Sequence, residues 1–382
     1  MSVSGHLKRL LSDSVIYGIG NVLSKFISIF LVPVYTAIFT PGDYGVISII
    51  SNTFILITIL LIFGLDNSTA RWFYDKDTYL ERKRIVNTWF WFYIGISFLT
   101  TILIFVLSPV LSQVLFDNQT NAQFLKIMAL VVPLNAMMNV TINVLRFDRR
   151  PIATVTVTLT QSLTLIGINI LFVVHYRMGL IGIYYAQLIS TALACLMAFF
   201  FIRKWLTKPF IDFGMLRDMI KYSLPFIPAS LAFWIVNLSG TYFINYFRGS
   251  AESGLFQIGV SIASGGALLI TAFQQAWMPF AFSILKQENA KKTYAQVYLL
   301  YIGAMSCVCL GMSLFSKELL LILTNKSYYN AASISAILTF GYFFMGLTNI
   351  ADLGTAITKQ TKPLGFILIV SAILYPLLSL AL

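Results

Sequence analysis

Long apolar runs alternate with short polar connections along the whole chain. Eleven runs of about 18 or more residues can be marked, at 15–39, 45–65, 86–110, 124–146, 152–174, 180–202, 219–246, 254–276, 294–315, 331–351 and 364–382. At about 1.5 Å of rise per residue, each is long enough to cross the hydrocarbon layer as a helix. The pattern predicts an all-α, polytopic membrane protein, with connections too short for a sizeable soluble domain. It also repeats. One helix ends at Phe39 and another at Phe247, each followed by a short loop and an acidic-x-Gly triplet, Asp43-Tyr44-Gly45 and Glu252-Ser253-Gly254. Nineteen residues past each glycine the apolar run ends, at Gly64 and at Phe273, and the two glycines are 209 residues apart. That offset spans six helices, an even number, so both copies start on the same side of the membrane and form a parallel repeat. The repeat predicts a six-helix lobe at 1–206, a linker at 207–216 on the cytoplasmic side and a second lobe at 217–382. The counterpart of helix 180–202 would fall near 389–411, beyond Leu382, so five helices are expected in the second lobe and a twelfth is missing from the pattern.

Polar positions inside the runs fall into helical stripes. Tyr17, Asn21, Lys25 and Ser28 share one face of the first run; Asn135, Asn139, Asn143 and Arg146 share one of the fourth. Thr154, Thr158, Gln161 and Asn169 do so on the fifth, and Trp234, Asn237, Thr241 and Asn245 on the seventh. An unsatisfied polar group against lipid costs several kcal/mol, roughly, so these faces must meet other helices or water. Interhelical hydrogen bonding and cavity lining both satisfy the stripes of asparagine and threonine. Lys25 is different. It lies about ten residues from either end of its run, too deep for easy snorkelling, and no carboxylate of the sequence is an obvious partner. A water-filled cavity that attracts an anionic substrate is the expected setting, a neutral or carbonyl-bonded lysine the alternative.

Composition sharpens this reading. Of 382 residues, 58% are hydrophobic and 10% charged, against about 25% charged in a soluble domain. The net charge of +12 would suit a nucleic-acid partner, but its distribution does not. With the N-terminus inside, 20 Lys and Arg fall on the inner side and four, Arg177, Arg248, Lys317 and Lys326, on the outer. This is the positive-inside bias, so a multi-pass protein of the cytoplasmic membrane with a cytoplasmic N-terminus is expected, and no nucleic acid. Arg71, Arg146, Arg149 and Arg150 sit at inner ends, as topology determinants or as partners of an anionic headgroup, since guanidinium forks suit phosphate. Asp66 and Arg71 together mark the inner entrance, and Arg248 is a candidate cation at the outer gate. Cys195, Cys307 and Cys309 fall inside apolar runs and read as packing residues, not metal ligands. No phosphate-binding loop, zinc pair or paired carboxylates suggest catalysis, so no enzyme activity and no cofactor are expected. The choice of a coupling ion, H+ or Na+, stays open.

The stretches "NVLSKFISIFLVPVYTAIFTPGDYGVISI" and "FGLDNSTARWFYD" supply a further clue: Asn21, Lys25, Pro33, Tyr35, Asp43-Tyr44-Gly45, then Gly64-Leu65-Asp66 and Arg71. In this order they resemble the opening of bacterial oligosaccharide flippases of the Wzx type, within the multidrug/oligosaccharidyl-lipid/polysaccharide exporter superfamily. The resemblance is specific over the first quarter of the chain; the remaining helices match in number and spacing. It implies two helical lobes forming a V around a central cavity that opens alternately to either side. It also implies a substrate of O-antigen or other polysaccharide units linked by pyrophosphate to undecaprenol, handed on to a polymerase and export machinery. Lys25 occupies a motif position, and the resemblance gives it the role of meeting the pyrophosphate or acidic sugars. The missing twelfth helix departs from the family pattern. Rival readings are a cation or drug exporter of the same superfamily and a membrane-embedded glycan polymerase or ligase. The first would want an acidic residue within the lobes and the second a large outer loop; the longest outer loops, at 111–123 and 316–330, are short.

Overall fold

The structure is a computed structural model that describes Ile16, Gly18, Gly20, Leu23 and residues 30–285, 287–358 and 362–381. The described residues are helical with no strand. In chain order the helices are α1 (Leu31–Ile38), α2 (Pro41–Ile62), α3 (Leu65–Tyr74), α4 (Tyr79–Phe116), α5 (Ala122–Phe147) and α6 (Pro151–Asn169). They continue with α7 (Leu180–Ile202), α8 (Phe213–Ser223), α9 (Phe226–Leu238), α10 (Gly240–Arg248), α11 (Ser250–Ala263), α12 (Gly265–Ser283), α13 (Ala290–Leu314), α14 (Ser316–Leu323), α15 (Ala331–Thr358) and α16 (Lys362–Ala381). A π-helical turn, Ile170–His175, extends α6, and 3-10 turns follow α7 and α14. Among the described residues seven helices are long and apolar enough to cross a membrane, and an eighth span arises if α8 and α9, bent by 50°, count as one.

Local chemistry explains the starts. Thr40 and Asp43 cap α2 reciprocally: the Thr40 N–H donates to Asp43 Oδ2 at 3.0 Å and the Asp43 N–H to Thr40 Oγ1 at 3.3 Å, with Pro41 inside the first turn. At α4 the Glu81 N–H donates to Thr78 Oγ1 at 3.3 Å and the Thr78 hydroxyl to Glu81 Oε2 at 2.6 Å. Two expected single helices are broken. The run 219–246 becomes the end of α8, then α9 and α10: Pro225 supplies no N–H at the first break, and the second falls at Ser239, ahead of Gly240. The run 254–276 breaks at Ser264, ahead of Gly265 and Gly266, poor helix formers. The repeat is visible in the element register: α2 starts at Pro41 and α11 at Ser250, α5 at Ala122 and α15 at Ala331, both 209 residues apart.

By contact the chain divides into two compact units that do not follow the 1–206 and 217–382 division by repeat. Of the described residues from 30 onward, the first comprises 46–246 and 371–381. Its core lies among α3, α4 and α5, built on Leu65, Phe73, Val86, Trp89, Tyr93, Leu125 and Ala129, all nearly inaccessible. Helices α9 and α10 join this unit through α2. Trp234 Nε1 donates to the Asn52 carbonyl at 3.1 Å, Asn52 Nδ2 to Thr241 Oγ1 at 3.2 Å, and the Thr53 and Tyr242 hydroxyls lie 2.7 Å apart. Segment 207–216 is strapped to α4 within the same unit. Asn87 accepts from the Thr207 N–H at 2.9 Å and donates to the Phe210 carbonyl at 3.1 Å, while Arg84 pairs with Asp212 at 2.9 Å.

The second unit comprises the described residues of 30–45 and 247–370. Its apolar core joins α12, α13 and α15 through Ile270, Trp277, Tyr301, Met305 and Ile350. Helix α1 belongs here. Thr36 Oγ1 donates to the Leu323 carbonyl at 3.3 Å, Asn325 Nδ2 to the Thr36 carbonyl, and Tyr328 Oη to the Phe39 carbonyl at 2.9 Å. Also within this unit, the starts of α2 and α11 touch backbone to backbone at the two repeat glycines. A Cβ on Gly45 would overlap the Ser250 carbonyl, and one on Gly254 would overlap the Pro41 carbonyl. Only a residue without a side chain permits that approach.

Candidate functional site

The polar cluster of the first unit is built around Asp66. Helix α2 ends at Ile62, and Phe63 and Gly64 both take left-handed conformations, φ +50° and +65°. Gly64 adopts its angle without a Cβ penalty, and the turn restarts the chain as α3. Leu65 is then fully buried and Asp66 occupies the first turn, where a helix N-terminus favours an acid. The Asp66 carboxylate is half-buried between α4 and α5. Its Oδ1 lies 3.3 Å from Tyr93 Oη and its Oδ2 accepts from Asn139 Nδ2 at 3.4 Å. Asn143 Nδ2 donates to the Asn139 carbonyl at 3.0 Å and faces Asn139 Oδ1 at 3.4 Å, continuing the row along α5 towards Arg146, whose charge reaches Asp66.

Burial pushes the Asp66 carboxyl up to about 6, against the opposing pull of the Asn139 and Tyr93 bonds and the Arg146 charge. Proton placement explains why the neutral form fits. Tyr93 has one hydroxyl hydrogen and two acceptors, the Ile62 carbonyl at 2.5 Å and Asp66 at 3.3 Å. The shorter contact takes the hydrogen, which leaves a lone pair of Tyr93 Oη facing Asp66. A protonated Asp66 donates to that oxygen and accepts from Asn139, so every group is satisfied. The site is therefore a carboxyl able to change charge near neutral pH while joined to α4, α5 and the end of α2.

Sequence-predicted site residues distribute as follows. Tyr17, Asn21 and Lys25 lie outside the described residues. Asn139, Asn143 and Arg146 gather with Asp66; Asn135, half-buried one turn earlier on α5, extends their row. Asp66 and Arg71, expected together at an entrance, turn to different neighbours. Arg71 reaches Asp75 at 3.9 Å and lies over the Tyr222 ring, 5.1 Å from its centroid. Asn245 donates to the Leu115 carbonyl at 2.8 Å and so ties α10 to α4. Asn237 is exposed and bonds the Phe233 carbonyl of its own helix at 2.8 Å. Arg248 is exposed at the last turn of α10, where a cation suits the helix dipole. Tyr93 and Asn52 were missed. Asn52 had a signal, a lone amide in an otherwise apolar stretch; Tyr93 lay in an aromatic run, "WFWFY", in which nothing sets one ring apart.

These features define a class, a multi-pass membrane protein with the fold of MATE transporters. The chain superposes on a multidrug-resistance MATE-family transporter of the MOP superfamily in its inward-facing conformation, with TM-score 0.68, 13% identity, and 97% of this chain and 86% of that one covered. The MATE multidrug transporter DinF-BH gives TM-score 0.64 at 14% identity, over 94% and 85% of the two chains. The family follows from sequence. A model described as "Polysaccharide biosynthesis protein" matches residues 34–333, and the chain belongs to that family. A relative from Haemophilus influenzae, named only as an uncharacterized membrane protein, is 23% identical over 74% of this chain and 67% of its own length. From the same organism, Lsg locus putative protein 1 is 22% identical over 74% and 68%.

Proposed function

We propose that this protein is a flippase that carries undecaprenyl-pyrophosphate-linked oligosaccharide units from the inner to the outer leaflet of the bacterial cytoplasmic membrane. The observation that carries this reading is the coincidence of a polysaccharide-biosynthesis family match over 34–333 with the fold of a membrane exporter. The chemistry agrees. Moving a glycan and two phosphate charges through lipid is prohibitive without a hydrated path, and a polar passage opening alternately to either side supplies one while the lipid tail stays in the bilayer. Lys25, in an apolar run that carries no other full charge from Val15 to Phe39, meets the pyrophosphate in this reading. In this reading Asp66 carries the coupling proton: burial raises its carboxyl to about 6, and the Arg146 charge that reaches it disfavours a metal cation.

The test is deletion of the gene in its own bacterium. Lipid-linked oligosaccharide should accumulate on the cytoplasmic leaflet and surface polysaccharide should be lost. Normal surface glycan in the deletion strain would refute the reading. Within the protein, Lys25→Ala should abolish export at normal protein level, Lys25→Gln should do the same, and Lys25→Arg should retain function. The Asp66 carboxyl favours one second reading, export of organic cations. It predicts dye efflux from cells expressing the protein, with surface glycan unchanged on deletion.

A further inference from the structure

At the end of the first unit where α5 and α7 finish and α6 begins, a cavity adjoins an open groove. The cavity, of about 220 Å³, is lined by Arg82, Arg150 and Lys204 beside the rings of Tyr79 and Trp205. The groove, of about 430 Å³, is lined by Arg149, Arg150 and the first turn of α6, Pro151 to Ala153, with Phe201 of α7. Arg150 and Phe201 line both, so the two form one continuous site, basic at one end and apolar at the other.

The charges leave a surplus of cations. Two carboxylates, Asp77 and Asp148, share the cavity, and Asp148 is engaged by Arg150 Nε at 2.7 Å. Arg82 directs its Nε to the Lys76 carbonyl at 2.7 Å, and its guanidinium lies over the Phe73 ring. Arg149 and Lys204 make no side-chain hydrogen bond or ion pair among the described residues. Arg149 itself has an unusual backbone. Its φ is +53°, and the turn closing α5 runs through it: the Arg149 N–H donates to the Arg146 carbonyl at 3.0 Å and the Arg150 N–H to the Leu145 carbonyl at 2.8 Å. That is a helix-ending position glycine fills most readily. An arginine there is held in an unfavourable conformation with its guanidinium at the groove. The start of α6 adds the positive end of a helix dipole. Ile152, in the groove, and Leu196 and Phe200 are 71%, 64% and 65% exposed respectively, an apolar surface suited to acyl chains.

We propose that this cavity and groove bind an anionic phospholipid of the surrounding bilayer. Its phosphate lies against Arg149, Arg150 and Lys204, and one acyl chain runs along Ile152 and Phe201. Basic pockets beside membrane helices on the side of the basic loops face an anionic leaflet, and arginine forks match phosphate oxygens. The cavity has room for a phosphate-ester headgroup and the adjoining groove for an acyl chain. The site does not depend on the transport reading, and its occupant holds α5, α6 and α7 together at the membrane surface.

The experiment uses the purified full chain in detergent, with phosphatidylglycerol or phosphatidylcholine added and retained lipid read by native mass spectrometry and thermal unfolding. Phosphatidylglycerol should be retained as a single copy and raise the melting temperature; phosphatidylcholine should do neither. Arg149→Gly separates binding from folding, because glycine suits that backbone. The variant should melt no lower than the parent without lipid, yet bind phosphatidylglycerol about tenfold or more weakly, as loss of a charge-assisted contact implies. Lys204→Gln should weaken it similarly. Equal retention of the two lipids, or unchanged affinity in Arg149→Gly, would overturn the proposal. So would stoichiometric displacement of phosphatidylglycerol by undecaprenyl pyrophosphate, which would assign the site to the cargo.

Discussion

Replacing Asp66 by asparagine should make the protein more stable at neutral pH and leave its stability nearly unchanged in acid. The carboxyl is raised from 3.8 to about 6 by burial. A group whose value is raised on folding contributes stability that is fully present below its unfolded value, and that contribution is lost as pH rises through the folded value. The window is therefore about pH 4 to 6. At about 1.4 kcal/mol for each tenfold change in proton affinity, the rise makes the ionised form about 3 kcal/mol less favourable in the fold. Asparagine reproduces the neutral acid. Its Nδ2 donates to the free lone pair of Tyr93 Oη and its Oδ1 accepts from Asn139 Nδ2, so both contacts survive. Above pH 7 the variant should thus gain about 3 kcal/mol, a rise of several degrees in melting temperature. Below pH 4 the gain should vanish. The assay is thermal unfolding of the detergent-solubilised protein, followed by tryptophan fluorescence from pH 4 to pH 8. A difference between parent and variant that stays constant across this range would refute the assignment of a burial-raised carboxyl to Asp66. If Asp66 carries the coupling proton, the same variant, though more stable, should fail to restore surface polysaccharide.

Further outcomes follow from the other contacts. Gly45→Ala and Gly254→Ala each drive a methyl into a backbone carbonyl that cannot swing aside. The cost should exceed the about 1–3 kcal/mol of ordinary overpacking, and yield of folded protein on size-exclusion chromatography should fall sharply for both. Asn52→Leu removes the bond to Thr241 and leaves a buried hydroxyl to find a new partner, which should cost about 1–3 kcal/mol in denaturant unfolding. Asn237→Leu, at an exposed position bonded only within its own helix, should change stability by less than about 0.5 kcal/mol.

Hydropathy made some elements legible almost to the residue. The run 180–202 is α7, and 124–146 falls within α5, because a predominantly apolar stretch of that length without proline near its ends has one good solution in lipid. The breaks within 219–246 and 254–276 were hidden from the same measure. A window average reports apolarity and is blind to a missing N–H at Pro225 or to a left-handed turn at Gly64. The candidate site was half legible. Spacing of four along one helix brought Asn139 and Asn143 together on paper as it does in space. Asp66 joins them from 73 residues away and meets Tyr93 across 27, so only the packing of α3 against α4 and α5 could reveal that the acid belongs with the amides. The tyrosine looked like one more apolar ring because its hydroxyl is invisible to a hydrophobic pattern.

The meeting of Gly45 with Gly254 has an ancestral meaning. Each presses on the carbonyl four residues ahead of the other, so exchanging their labels leaves the contact as it was. Such reciprocity is the signature of a twofold interface between identical subunits, in which one substitution is felt twice. A duplicated and fused chain inherits that constraint while losing the identity that created it. Its halves are free to drift apart in length, charge and loops, but neither can acquire a side chain here unless its sibling retreats.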